Sequence, residues 1–363
     1  MDRPDVVSST PAPAPSRRSK LVHGGLLLVG LSLFGWALRD ADLHRTARII
    51  AGVGPIAVLV LLPQGLWTVM HAWAWQRILA GIGRPVPVWP LIGTFYTMEA
   101  AHLTIPGGPA VAESLGIYFL GRRFGVPVSD AVASQAVKKL LIVTTNGLYV
   151  ATGTLLAWAV LPAPSVAMFG APDTFRGLLA ATAAVMLLGS SAMYWGMKRG
   201  SLAMALFGRL RRIPSRHLRS WLEARSEGWA RTDAQLAHPL AASRVVALLP
   251  PGVILLAQWW LEGLESWLIL SLLGADVTFA QAIALEVAGS SLRSLVFVIP
   301  AGLGVQDAGY VAMLKAFGVA GATEFGAAFV LLKRSKELFW IGIGWVLMLG
   351  RRRMRTAAIE ERA

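Results

Sequence analysis

Thirteen ionisable side chains fall inside stretches that are otherwise apolar: Glu99, Glu113, Lys138, Lys139, Glu262, Glu265, Glu286, Arg293, Asp307, Lys333, Arg334, Lys336 and Glu337. A charge at the centre of a bilayer costs about 2.5–3.5 kcal/mol on insertion scales, so each of these needs a partner or a task. Glu113 and Asp307 stand out, because each lies seven residues beyond a proline, Pro106 or Pro300, that opens a glycine-containing string. Such acids can titrate a proton, bind a cation or balance a headgroup amine. They can also cap the bare N–H groups of a half-helix. Their distance from the breaks points away from simple capping. Lys138 and Lys139 have no acid at i±3 or i±4, so their partner is Glu113, Glu99, water or a ligand phosphate. Lys333 and Arg334 have Glu337 within helical reach and read as intrahelical pairs.

These residues recur in pairs. Leu61-Leu62-Pro63 matches Leu248-Leu249-Pro250 at an offset of 187, Ile105-Pro106-Gly107-Gly108 matches Ile299-Pro300-Ala301-Gly302 at 194, and Lys138-Lys139 matches Lys333-Arg334 at 195. A slowly drifting offset is the mark of an internal duplication. The matching positions Glu99 and Arg293 carry opposite charge, which predicts a cross-repeat ion pair acting as glue or gate. The candidate substrate or lipid-binding set is therefore Glu99, Glu113, Lys138, Lys139, Arg293, Asp307, Lys333 and Arg334. Pro106, Gly107, Gly108, Pro300, Gly302 and Gly304 are the candidate broken-helix hinges.

The positioning elements are membrane helices. The chain has 363 residues, 55% hydrophobic and only 15% charged, with mean hydropathy +0.58. Its continuous apolar runs fit helices rather than the alternating strands of a barrel. Spans are predicted at 21–38, 53–75, 128–160, 178–197, 245–272 and 324–349. Shorter pieces at 88–104 and 108–120, and at 279–298 and 305–317, form two broken or re-entrant pairs. Irregular backbone survives at membrane depth only where protein or water satisfies it, so both breaks belong in the interior. The expected fold is all-α: a polytopic membrane helical bundle with inverted-topology repeats. Its divisions are a disordered basic tail over 1–20 and one transmembrane domain over 21–350. Repeat one covers 53–160, repeat two 245–349, a basic loop 198–244, and a tail 351–363. The apolar run from Leu21 to Leu38 lacks a small-x-small cleavage site and reads as a retained helix.

Loop 198–244 carries ten Lys and Arg against three acids, and Arg351, Arg352, Arg353 and Arg355 follow the last span. The positive-inside rule places both, and the N-terminal tail, in the cytoplasm of a multi-pass inner (plasma) membrane protein. Loop 161–177 falls on the far side. Loop 39–52, with Arg39, Arg45 and Arg48, also lands there, against the rule. The two repeats then face opposite ways. Within the basic loop, Trp221 and Trp229 are interleaved with arginines, which fits an interfacial helix or a plain solvated one. The net charge of +14 is explained by loops and tails, not by nucleic acid. There is no cysteine; His71 and His102 lack metal-ligand spacing, and no nucleotide loop or nucleophile elbow is present. No metal, cofactor or enzymatic activity is expected.

The strings Leu292-Arg293-Ser294, Ile299 to Gly309 and Leu331-Leu332-Lys333-Arg334, with the matching first-half Pro-Gly break and Glu113, resemble the transmembrane flippase-like family of lysylphosphatidylglycerol synthases, and within it a hopanoid-biosynthesis-associated branch. The resemblance covers about 50–350. It departs at Asp307, where the family usually has Glu, and at Ala112, where it usually has Gly. Full synthases also carry a soluble aminoacyl-transferase domain, which the resemblance does not extend to, so aminoacylation is not expected. The resemblance therefore implies translocation of a lipid with a polar or anionic headgroup through a groove between the repeats. The alternatives are a non-transporting scaffold that binds lipid for a lipid or hopanoid biosynthesis pathway, and a membrane-embedded transferase. Membrane lipids, and lipid-biosynthesis enzymes in the scaffold case, are the implied partners.

Overall fold

In the computed structural model the described residues are 17–105, 108–200, 208–209, 233–237, 240, 245–295 and 303–360. They form helices and no strand. In chain order these are α1 (Arg17–Leu38), α2 (Leu43–Val53), α3 (Leu61–Gly81), α4 (Val88–Thr104), α5 (Gly108–Phe124), α6 (Val128–Leu156), α7 (Pro162–Phe169), α8 (Thr174–Lys198), α9 (Leu249–Leu272), α10 (Phe279–Leu295), α11 (Val305–Ala316) and α12 (Ala322–Glu360). A 3₁₀ segment, Gly54–Val60, joins α2 to α3 without a break, so Leu43–Gly81 is one apolar rod. With Thr174–Lys198 and Val245–Leu272 it makes three helices among the described residues that are long and apolar enough to cross a membrane. Wide apolar faces, including Leu155, Val185, Leu188, Val253, Leu338 and Val346, lie exposed on the outside, as lipid solvation demands.

Several boundaries differ from the sequence reading. Helix α1 starts at Arg17, inside the stretch 1–20 expected to be disordered, and α12 carries the tail on as helix to Glu360. Loops 39–52 and 161–177 contain α2 and α7. The α2 start was readable: Asp42 accepts from the His44 and Arg45 N–H groups as an N-cap. Most of the basic loop 198–244, the hinges Pro106, Gly107, Pro300 and Gly302, and residues 1–16 lie outside the described residues.

The helix contacts repeat when the two halves are exchanged. In the first half α3 packs on α4, α4 on α5 and α5 on α6; in the second, α9 packs on α10, α10 on α11 and α11 on α12. Between halves, α6 packs on α10 just as α12 packs on α4. The equivalent helices α3 and α9 meet each other directly. Gln64 and Glu265 share the Lys336 ammonium, whereas Trp67, three residues further along α3, donates to Glu262, three residues back along α9. Helices α3 and α9 therefore run antiparallel, the relation that opposite orientation of the halves requires.

Both breaks are tight. A Cβ on Gly108 would lie 1.8 Å from the His102 carbonyl oxygen, so only glycine lets α5 start against the last turn of α4. Gly304 has φ +80°, and a Cβ there would lie 2.4 Å from the Gly30 carbonyl oxygen of α1. Helix α1 thus packs closely against the start of α11. Helix α11 has 12 residues, about 18 Å of rise, too short to cross hydrocarbon. The Gly304→Ala variant is expected to lose about 2–4 kcal/mol through strain at positive φ and overpacking. Gly309→Ala, which meets only Leu292 Cδ2 at 3.6 Å, keeps wild-type stability. Thermal unfolding of the two variants in detergent checks the contrast.

Candidate functional site

The charges beside the two breaks form two ion-paired clusters at matching positions of the repeat. At the first break, α5 presents Glu113 and α6 presents Lys139, whose Nζ lies 3.0 Å from the Glu113 carboxylate. At the second, α11 presents Asp307 and α12 presents Arg334, whose guanidinium donates to both Asp307 oxygens, with Arg334 Nη2 2.9 Å from each. The two ion pairs occupy matching positions of the repeat. Their surroundings do not match. The Lys139 and Glu113 side chains are 53% and 47% exposed; those of Arg334 and Asp307 are 14% and 2% exposed.

The acids do not share one site: each is engaged by a base of its own half. Asp307 lies in the first turn of α11, and its Oδ2 accepts the Gly304 N–H at 2.8 Å. It caps the half-helix, the role that its distance from Pro300 had seemed to rule out. Helix α11 starts at Val305, five residues past that proline, and this brings the acid into the capping turn. Glu113 lies deeper, five residues beyond the start of α5.

The lysines one residue earlier diverge more sharply. Lys333 pairs with Glu286 rather than Glu337, and also donates to Ser266 Oγ at 3.1 Å and Tyr310 Oη at 3.4 Å. Ser266 and Tyr310 donate to the same Glu286 oxygen. Arg334 makes the i+3 pair with Glu337, at 2.7 Å. Lys138, the counterpart of Lys333, has no ion pair or hydrogen bond among the described residues, and it is 6% exposed. Its ammonium sits 4.2 Å from the centre of the Trp75 ring and 5.4 Å from that of Phe95. A desolvated cation over aromatic faces gains about 2 kcal/mol.

The expected Glu99–Arg293 ion pair is not formed. Arg293 donates to Glu262 at 3.2 Å, and Glu99 lies 3.7 Å from His102 Nδ1. His102 lies one helical turn after Glu99 on α4, and the packing of α9 on α10 brings Glu262 to Arg293. Glu262 also takes the Trp67 indole N–H from the opposite half, so it bridges both repeats. Lys336 does the same, lying between Glu265 of α9 and Gln64 of α3. Neither bridge was legible: Glu262, Glu265 and Lys336 are ionisable residues in apolar runs, but their counterparts at the repeat offsets are Trp75, Ile78 and Leu141. Among the described residues no group of three or more His, Asp and Glu could hold a metal ion.

Long apolar helices, repeated in two halves and linked by ion pairs between helices, define a polytopic helical membrane protein. The chain matches the family model described as lysylphosphatidylglycerol synthase TM region over residues 24–343, and it belongs to that family. No curated protein and no solved structure gives a match. Membership places it among membrane domains of lipid chemistry.

The two clusters predict unequal mutational costs. Lys333→Met strands the buried Glu286 carboxylate and is expected to cost about 3–5 kcal/mol. Lys139→Met opens an accessible pair and is expected to cost no more than about 1 kcal/mol. Thermal unfolding in detergent checks this order, and Lys333→Met with Glu286→Gln should recover part of the loss.

Proposed function

We propose that this protein translocates a lipid with a polar or anionic headgroup through the cleft between its two inverted halves, without chemical change to the lipid. The observation that carries the reading is the duplicated ion pair in two states. Glu113–Lys139 is accessible at one break, and Asp307–Arg334 is sealed at the other. A carrier that opens alternately to the two leaflets needs one polar entrance exposed while its equivalent is closed. Exchanging a carboxylate partner for a headgroup keeps the basic side chain neutralised throughout, which avoids leaving a charge unpaired in hydrocarbon. Glu262 and Lys336, each bridging the halves, are the contacts that must change when one half rocks against the other.

In this reading Glu113→Gln and Lys139→Gln each lower the rate of headgroup flipping in reconstituted vesicles by about tenfold, equivalent to about 1.4 kcal/mol of barrier. Both keep the wild-type unfolding temperature. Flipping at the wild-type rate in both variants would sink the proposal and favour a lipid-holding scaffold.

We place the protein in the inner membrane with both termini in the cytoplasm. Because the chain contains no cysteine, every introduced cysteine is a unique reporter. Ala171→Cys is expected to react with an impermeant maleimide from outside intact cells, and Arg199→Cys only after lysis. The opposite pattern would invert the topology.

A further inference from the structure

The second half shows what a lysine at the Lys138 position binds when the chain supplies the ligand itself. Lys333 is met by the Glu286 carboxylate and the Ser266 and Tyr310 hydroxyls. At the repeat offsets the counterparts of these three groups are Ile92, Leu79 and Gly116, and none of them can accept a hydrogen bond from a side chain. Ile92 and Leu79 are core residues, packed with Trp75 and Phe95. Around Gly116 the amide of Gln135 and the side chain of Met98 fill the space that Tyr310 takes in the other half.

Lys138 therefore keeps a buried ammonium with its internal anion deleted. The nearest carboxylates do not replace it, since Glu113 is engaged by Lys139 and Glu99 lies beside His102. Nearby, the His71 and Gln258 side chains engage each other, and the buried Oε1 of Gln135 has no partner. His71 stacks on Phe95 with ring centres 4.4 Å apart, on the same aromatic platform that Lys138 covers. Gln135 lies one turn before Lys138 on α6. The unpartnered ammonium matches an oxyanion, and the Gln135 Oε1, which can only accept, matches a hydroxyl on a substituent of that oxyanion.

We infer that Lys138 is the phosphate contact of a phospholipid-headgroup subsite, in which Gln135 Oε1 accepts from a headgroup hydroxyl and the phosphate takes over the role, not the space, that the Glu286 carboxylate has as partner of Lys333. The inference rests on the translocation reading for its purpose, but the binding site stands or falls by itself. The accessible Glu113–Lys139 pair, next along the same helix, is the approach. Trp75 and Phe95 hold the empty ammonium over their faces until the anion arrives.

The test uses the full chain in maltoside detergent, with dioctanoyl-phosphatidylglycerol as probe, dioctanoylglycerol as its phosphate-free control and inorganic phosphate as competitor. The wild type is expected to bind the phospholipid and not the control. Lys138→Met weakens binding by about tenfold, the loss of one charge-assisted hydrogen bond. Lys138→Arg keeps it. Ile92→Glu plants the missing internal carboxylate and is expected to weaken binding as Lys138→Met does; it decides the matter if Lys138→Met fails to fold. Competition by inorganic phosphate identifies a free phosphate as an equal occupant of the same subsite, and its failure to compete identifies the lipid. Unchanged phospholipid binding in folded Lys138→Met or Ile92→Glu overturns the inference. Flipping, measured separately, keeps the two readings apart. A wild type that binds through Lys138 without flipping sinks translocation alone; flipping with Lys138-independent binding sinks the subsite alone.

Discussion

No charge can be left bare in hydrocarbon, and this constraint organises the whole molecule. Lys333, Arg334, Arg293 and Lys336 each meet a carboxylate, and most of those carboxylates are contributed by a different helix. The pairs therefore do more than neutralise. They fix which helices are neighbours, because a buried pair parted by a helix shift would expose two ions to a medium of low dielectric. Packing of the apolar core is permissive by comparison, since leucine and valine faces slide past one another at small cost. Register in the second half is set electrostatically.

The first half obeys the same rule by other means. Its cations are fewer, and one of them rests on aromatic rings rather than on an acid. Its ion pair at the break is accessible rather than enclosed. Helix α1, which lies outside the duplicated unit, accounts for part of the difference: it packs on α11, whereas among the described residues α5 packs mainly on its own neighbours α4 and α6. A duplication that began symmetric has been divided into a closed member and an open one by an element that was not duplicated.

Much of this was legible in the sequence. The offsets of 187 to 195 located both halves, and the Pro-Gly strings located both breaks. The pairing of Lys139 with Glu113 lay within the stated alternatives. What escaped was set by rotation and crossing angle, which apolar runs do not encode. Glu99 and Arg293 align in the repeat, but alignment across a two-fold axis puts equivalent residues together only where they lie on that axis, as α3 and α9 do. Helices α4 and α10 lie away from it, so their equivalent residues face different neighbours. Asp307 was misjudged by counting from the proline instead of from the first helical residue, Val305. Helices α2 and α7 were missed because each is shorter than a span and is flanked by loop-like sequence.

The seat of α1 on Gly304 has a bearing on how the chain is assembled. Gly30 touches Leu303, and the Gly304 backbone touches Gly30 and Phe34. These neighbours are separated by about three quarters of the polypeptide. During synthesis α1 enters the bilayer before the second half, and its face around Gly30, Leu33 and Phe34 waits against lipid until Gly304 has emerged. The docking of that face is then among the final events of maturation, so the second half is closed only in a molecule that is already complete.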